Sequence, residues 1–383
     1  MKLLDRVELN PTITMQKGKV YPFVEMANVG MFMREPLAIE SKAFSSGMKF
    51  EDGDTVVARI TPCLQNGKGF FCKDIGTGFG STEFLVFRPK DETVDNRYLY
   101  YLFQTNEIRD KMIKSMVGAT GRQRVNNDVF NSIDVNFPDI DAQRRIGEAL
   151  FCYDDLIENN RKQLKVLDSA LHLLYKEWFE IGGSHDEPML PSGWEKKTVK
   201  DISSILRRGI SPKYDEDGTY YVINQKCIRT SIMDMNEARR QSKTYPAEIN
   251  LIDSDIVICS TGTGTLGRVG QVYGNHPDTT FDSHVTMVRA NKKIGKQFLY
   301  CSIKAKQDYL MSMGRGSTNQ QELYRGVIED LEIVVPPLEL IAEFEKHAQP
   351  MHDKVTVLIK SIGKLIESRN HLIAKLMKGV IEI

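Results

Sequence analysis

The chain has 383 residues, 41% hydrophobic and 27% charged, with 51 basic and 51 acidic side chains and therefore no net charge. This is the composition of an ordinary soluble protein long enough to bury cores, it argues against a coat that holds nucleic acid by bulk charge alone, and the length predicts two or three domains. The six cysteines (63, 72, 152, 227, 259 and 301) show no C-x-x-C spacing. No apolar run reaches 18 residues and the N-terminus has no apolar leader, so thiols in a reduced, cytoplasmic protein without a membrane span are expected.

In chain order, residues 1–139 read as short strands followed by one helix. TVVARI, TEFLVF and SIDVNF are β-branched or aromatic runs bounded by Gly, Asp and Pro, and the apolar spacing from Tyr98 to Met116 predicts a helix. Segment 140–183 differs in kind. Ile146, Leu150, Tyr153, Ile157, Asn160, Leu164, Leu167, Leu171, Leu174 and Trp178 alternate at spacings of four and three, the seam of a coiled coil. Gly182 and Gly183 are expected to stop it. Residues 184–336 repeat the first order: strands at YYVINQ, DIVICS and HVTMVR, a helix at about 296–313, and a strand at LEIVV. His284 falls on the third of these strands and is expected to be structural. Segment 337–383 repeats the rod, through Ile341, Phe344, Ala348, Met351, Val355, Leu358, Ile362, Leu365, Arg369, Leu372 and Leu376, with Pro350 expected to kink or interrupt it.

The halves are related by an internal repeat. GDTVV at Gly53 matches SDIVI at Ser254, EFLVFRP around Arg88 matches HVTMVRA around Arg289, and GATGRQRV from Gly118 matches GSTNQQEL from Gly316. IDVNFP ending at Pro138 matches LEIVVP ending at Pro336, and the offset drifts only from 201 to 198. The fold class expected is α+β: two pseudo-symmetric globules separated by an antiparallel two-helix coiled coil. Each rod of about 40 residues would span about 60 Å at about 1.5 Å per residue. Asn160 and Arg369 are the polar breaks in the two seams, residues of a kind that sets register.

Catalytic sets are missing. There is no P-loop, no H-E-x-x-H and no G-x-S-x-G, the histidines are scattered, and metal-ligand spacing is absent, so neither catalytic nor metal residues are assigned. Gly262–Gly267 is a literal G-x-G-x-x-G after a strand, but RVGQVYG follows it and alternates like a second strand. A dinucleotide fingerprint needs a helix there. An enzyme using this loop for a nucleotide stays open as an alternative, as does a protein-interaction scaffold with no nucleic-acid role.

The polar loops carry the candidate site. Five basic residues and one acid lie between Arg109 and Arg124, and six basic residues and one acid between Lys196 and Lys213. Arg122, Gln123 and Arg124 in the first half, and Arg315, Ser317, Asn319 and Gln320 in the second, occupy matching loops. Arginine pairs bidentately with guanine and Asn or Gln with adenine, so these side chains suit base edges. Arg59, Gln65, Asn66 and Lys68 in the first half join them, as do Gln225, Lys226, Thr263, Thr265 and Arg268 in the second.

At these residues the chain resembles the specificity subunit of type I restriction–modification systems. LHLLYKEWFEIGG resembles the end of that family's central helix, and LPSGWEKKTVKDI its usual entry to a target recognition domain. GATGRQRVNNDVFNSIDVNFPDIDAQRRI and STNQQELYRGVIEDLEIVVPPLELIAEF resemble its two exits into conserved helix. The first half lacks the Pro-x-Gly-Trp entry, and the second exit has Leu338-Glu339-Leu340 where Glu-Gln is usual. The resemblance implies recognition domains at 1–139 and 184–336, a central helix at 140–183 and a C-terminal helix at 337–383. It also implies a non-catalytic chain that reads a bipartite, asymmetric site on double-stranded DNA. Two methyltransferase subunits would dock on the rods and restriction subunits would join. S-adenosylmethionine, ATP and magnesium would belong to those partners, and this chain would bind no cofactor.

Overall fold

The structure, a computed structural model, describes residues 1–180, 190–262, 264–316 and 321–381. Two compact units emerge: Met1–Arg161 with Ser361–Ile383, and Lys162–Lys360.

In the first unit, α1 (Leu3–Arg6) leads into β1 (Val7–Leu9), β2 (Val20–Val24), β3 (Glu40–Ala43), β4 (Met48–Phe50), β5 (Thr55–Ala58), β6 (Gly69–Phe71), β7 (Gly78–Gly80) and β8 (Phe84–Pro89). An antiparallel sheet of order β1-β8-β5-β6 forms the spine, and a second sheet of order β3-β2-β7-β4 lies beside it. The strand TVVA is buried along its whole length, which explains its unbroken apolar run. Val57 faces Leu85, Phe87, Leu99, Ile108 and Met112. Val56 faces the other way, toward Val24, Phe50, Phe70 and Val86. Period-two alternation thus places helices on one face of the spine and the second sheet on the other.

The helix expected from Tyr98 to Met116 is instead two, α2 (Asn96–Leu102) and α3 (Asn106–Lys114). Thr105 breaks the run because its hydroxyl accepts from Ile108 N–H and caps a new helix. A two-stranded ribbon follows, β9 (Met116–Val117) and β10 (Arg124–Val125), then α4 (Val129–Ser132). The strand expected at SIDVNF does not form. A single bridge between Lys2 and Asp134 forms instead, through Leu3 N–H to Ile133 O and Val135 N–H to Met1 O, both at 2.9 Å, and the pairing goes no further because α1 begins at Leu3.

The second unit repeats this plan. β11 (Glu195–Thr198) and α6 (Val199–Ile202) precede β12 (Ser203–Arg208), β13 (Tyr220–Ile223), β14 (Arg239–Gln241), β15 (Ile256–Cys259), β16 (Val269–Gln271), β17 (Thr279–Phe281) and β18 (Val285–Ala290). The spine has order β12-β18-β15-β16 and the side sheet β14-β13-β17. Each side sheet contains one parallel pair, β2 with β7 and β13 with β17. The helix expected at 296–313 is again split, here into α7 (Lys296–Ala305) and α8 (Gln307–Ser312). After α9 (Arg325–Glu329), the strand at LEIVV does form, as β19 (Glu332–Val335), because Glu195–Thr198 supplies its partner.

Two long helices complete the chain, α5 (Ile140–Phe179) and α10 (Leu338–Leu376). Gln143 N–H bonds Asp139 backbone and Ala142 N–H the Asp139 carboxylate, which caps the start of α5. Gly182 and Gly183 lie outside the described residues. Pro350 does not interrupt α10. A proline inside a helix costs about 3 kcal/mol, and the burial of Phe344, Ala348 and His352 around it holds the helix together.

Of the seam, Ile157, Leu171, Val355 and Leu358 are buried, and Asn160, Leu164, Leu167, Ile362 and Leu365 are half-buried. In the first unit, Ile146 and Leu150 share a core with Ile373 and Leu376, Arg369 reaches Asp154, and Asn160 Nδ2 donates to Ser361 Oγ at 3.2 Å. Positions rise on α5 while their partners fall on α10, so the pairing is antiparallel. In the second unit Leu171 and Phe179 join Ile341, Phe344 and Ala348, and Trp178 meets Phe344 edge-on at 6.0 Å. Among the described residues, no helix is long and apolar enough to cross a membrane.

Candidate nucleic-acid interface

Each spine ends in a loop that a second loop overlies, and the backbone makes this arrangement twice. In the first unit the chain leaves β5 at Ala58. Val125 N–H donates to Arg59 O at 2.9 Å, and Thr61 N–H to Gln123 O at 2.9 Å, so the β9–β10 ribbon lies along the exit from the strand. Gly118 and Gly121, at φ +124° and +82°, turn the ribbon's tip in a conformation that side chains resist. In the second unit the chain leaves β15 at Cys259. Leu323 N–H donates to Ser260 O at 2.8 Å, and Glu322 bridges both Thr261 and Arg315. Residues 59–61 and 123–125, distant in sequence, are thereby neighbours, as are Ser260 and Thr261 with Glu322 and Leu323, and Arg315 with Glu322.

The named side chains divide by what they already hold. Arg122, Gln65 and Asn66 are exposed. Gln123 is half-buried and its backbone is spent on Thr61. Arg124 is committed to Glu83 at 2.6 Å, which neutralises it. Arg59 Nη2 donates to Val125 O at 3.2 Å and Lys68 Nζ to Met26 O at 2.9 Å. In the second unit Lys226 and Arg315 are exposed, while Gln225 and Arg268 are half-buried. Thr265 Oγ1 donates to Thr261 O at 3.0 Å, fastening the glycine loop. A Cβ at Gly262 would stand 3.9 Å from Gln225 Cγ, so Gln225 reaches that loop. Thr263, Ser317, Asn319 and Gln320 lie outside the described residues.

Several contributors escaped the sequence reading. Arg109 donates from Nη2 to Leu64 O at 3.3 Å and Gln65 O at 3.0 Å, and its guanidinium stacks 4.6 Å over Phe32; it holds the Gln65–Asn66 turn in place. Its place in a basic run was the available signal. Arg208 pairs with Glu322 beneath the second loop pair. His284 sits in the turn before β18 rather than on the strand, and its Nδ1 lies 2.6 Å from Thr261 Oγ1 at the site's edge. Behind the loops, Arg88 grips buried Asp54 at 2.7 and 2.8 Å, and Arg289 grips buried Asp255 at 2.7 Å through both contacts. Hydrogen bonding to Asp54 pushes the Arg88 pKa up against the opposing effect of burial.

The glycine loop Gly262–Gly267 leads into β16 and not into a helix. The element that follows it is therefore not the helix whose N-terminus a dinucleotide fingerprint sets against the pyrophosphate. A Cβ at Gly267 would lie 2.5 Å from Met311 N, so this glycine allows a close backbone approach within the fold. Among the described residues no group of three or more His, Cys, Asp or Glu is placed to hold a metal. The arrangement offers donors of hydrogen bonds on two equivalent loop pairs, backed by rigid ion pairs.

Comparison with known proteins gives the same repeat. The family model described as "Type I restriction modification DNA specificity domain" matches twice, at residues 9–168 and 191–359. The MjaIX specificity subunit of a type I restriction enzyme, from Methanocaldococcus jannaschii, is 26% identical over 312 residues, covering 77% of this chain and 71% of the relative. The HindI specificity subunit from Haemophilus influenzae is 24% identical, covering 86% of each. A crystal structure of a type I restriction–modification S subunit from M. genitalium superposes with a TM-score of 0.55 at 17% identity, over 98% of this chain and 95% of that one, which establishes the shared fold.

Proposed function

The chain belongs to the type I restriction–modification DNA specificity family, and on that premise we propose that it recognises DNA sequence within a restriction–modification complex. The observation that carries the reading is the coincidence of two family matches with two equivalent loop pairs on two equivalent spines. Each loop pair reads one half of a bipartite, asymmetric site. Phosphate contacts position the protein and base-edge contacts specify. Arg122, Gln65 and Asn66 are the readers in the first unit, and Arg315 and Lys226 in the second, since they are exposed and, among the described residues, have no carboxylate partner. Arg124, neutralised by Glu83, shapes the ribbon.

The chain contributes recognition and no chemistry. Methyltransferase subunits, two per chain, dock on α5 and α10. They bring S-adenosylmethionine, and restriction subunits bring ATP and magnesium. Shared phosphate contacts with these partners fit a chain with no net charge.

Methylome sequencing of cells carrying this chain and its methyltransferase tests the reading. One split motif with a fixed unspecified gap is expected. A continuous palindrome, or an active complex with no motif, contradicts it. A gel shift with the methyltransferase at stated salt separates this reading from a scaffold without a DNA role.

A further inference from the structure

The side sheets contribute none of the reader side chains, yet both carry cations on aromatic rings at matching places. In the first unit Lys42, on the fully exposed edge strand β3, stands opposite Tyr21 and 4.4 Å over Phe23, and Lys19 lies 5.7 Å over Tyr21. In the second unit Arg240, on the edge strand β14, stands opposite Tyr221 and 5.0 Å over its ring, and Arg239 lies 3.6 Å over Tyr214. Tyr21 and Tyr221 occupy equivalent strands, each flanked by its edge strand on one side and a parallel strand on the other.

Nearby Arg229 is neutralised by Glu237 at 3.5 Å, whereas none of these four cations has a carboxylate partner among the described residues. A ring face attracts a cation without cancelling its charge, so the side chain is held extended while its donors stay available. Arg240 spends one donor, Nη1, on Gly218 O at 3.1 Å. Each side sheet is also continuous with its loop pair. The turn after β2 holds Met26, whose carbonyl accepts from Lys68, and the turn after β13 holds Gln225, beside Gly262. From Tyr21 to that turn the strand runs roughly 15 Å at about 3.3 Å per residue, the length of about four to five base-pair steps at about 3.4 Å each.

We propose that the edge strands β3 and β14 are a second DNA-contacting surface, in which Lys19 and Lys42 in one unit and Arg239 and Arg240 in the other bind backbone phosphates flanking each half-site. The inference rests on the DNA-recognition reading and deepens it. These contacts set affinity and salt dependence and leave the recognised sequence alone.

The test uses the complex assembled with its methyltransferase and a duplex bearing the methylome-defined motif, with binding measured across a salt series. Lys19→Gln with Lys42→Gln, and separately Arg239→Gln with Arg240→Gln, are each expected to flatten the slope of log K against log salt by about 1.8, at about 0.9 for each phosphate no longer neutralised. The methylated motif stays the same, and Lys19→Arg with Lys42→Arg restores the slope. Thermal melting identifies any variant that has unfolded, and for such a variant the single Lys42→Gln or Arg240→Gln change is read instead, with an expected shift of about 0.9. An unchanged slope in folded variants overturns the inference, as does loss of the methyltransferase on purification, which would make these edges a protein-docking surface. Failure of the unaltered complex to bind any duplex would instead overturn the DNA-recognition reading itself.

Discussion

Arg369 on α10 donates to the carboxylate of Asp154 on α5, and both side chains are 2% exposed. Asp154 also accepts from Tyr101 OH at 2.5 Å, and Arg369 Nη2 donates to Phe32 O at 3.2 Å. One buried charge pair therefore sets the register of the two helices and fastens them to the first globule.

Breaking that pair from one side leaves an uncompensated charge in the core. Arg369→Met is expected to cost about 3–5 kcal/mol, whereas Arg369→Met with Asp154→Leu should cost less, about 1–3 kcal/mol, because only the Tyr101 hydroxyl and the Phe32 carbonyl lose their partners. Urea denaturation of the three proteins checks this, and equal losses in the single and double variants would contradict it.

The second unit is expected to be acid-labile through Asp253. Its carboxylate accepts from Gly274 N–H at 2.7 Å and lies 3.0 Å from Nε2 of His352, which is itself buried. Burial alone would raise its pKa, but the His352 contact, the Gly274 N–H and Ser254 outweigh burial and hold it well below the usual carboxylate range. A depressed folded-state pKa means stability that is present above the unfolded value of about 3.9 and is lost as pH falls through the folded one. Asp253→Asn should therefore flatten the decline in melting temperature below about pH 4, and an unaltered acid limb would refute the assignment.

Specificity should divide between the two loop pairs. Arg122→Ala is expected to relax one half of the methylated motif and Arg315→Ala the other, each by about 1–3 kcal/mol for a bidentate pairing with a base. Methylome sequencing reads both, and equal relaxation of both halves by either substitution would rule out independent readers.

If α5 and α10 set the gap between half-sites, one heptad added to each, after Asn160 and before Ser361, keeps the seam in phase and lengthens the pair by about 10.5 Å. The unspecified gap in the motif should grow by about three base pairs at about 3.4 Å each. An unchanged gap would show that the helices are not the ruler.

Much of the frame was legible in the residues. Apolar spacing of four and three marked both long helices, and the ordered matches around Arg88 and Arg289 marked the repeated spines. The departures have local causes. The Thr105 cap competes with the apolar period that spans it, and SIDVNF has the composition of a strand but lacks a partner strand. Pro350 would break an isolated helix, yet packing on both sides retains it. Asp154 and His352 stand one position off the seam and 198 residues apart, the spacing of Pro138 and Pro336. Each fastens its helix to its own globule, Asp154 through Tyr101 and His352 through Asp253 and Gln271. A polar residue at the same repeat position in both rods was the signal available.

The sequence by itself determined the duplication, the two helical rods and the family, because periodicity and ordered local matches survive in one dimension. Tertiary structure decided which loops meet, and which of their cations remain free. Gln65 and Arg122 belong to one site only because a ribbon of two residues per strand lies along the exit from β5. Arg124 is withdrawn by Glu83, 41 residues away, whereas Lys42 lies over a ring face with no carboxylate partner among the described residues. Partnering of a charge depends on distance in space, and strand pairing sets that distance after the chain has folded.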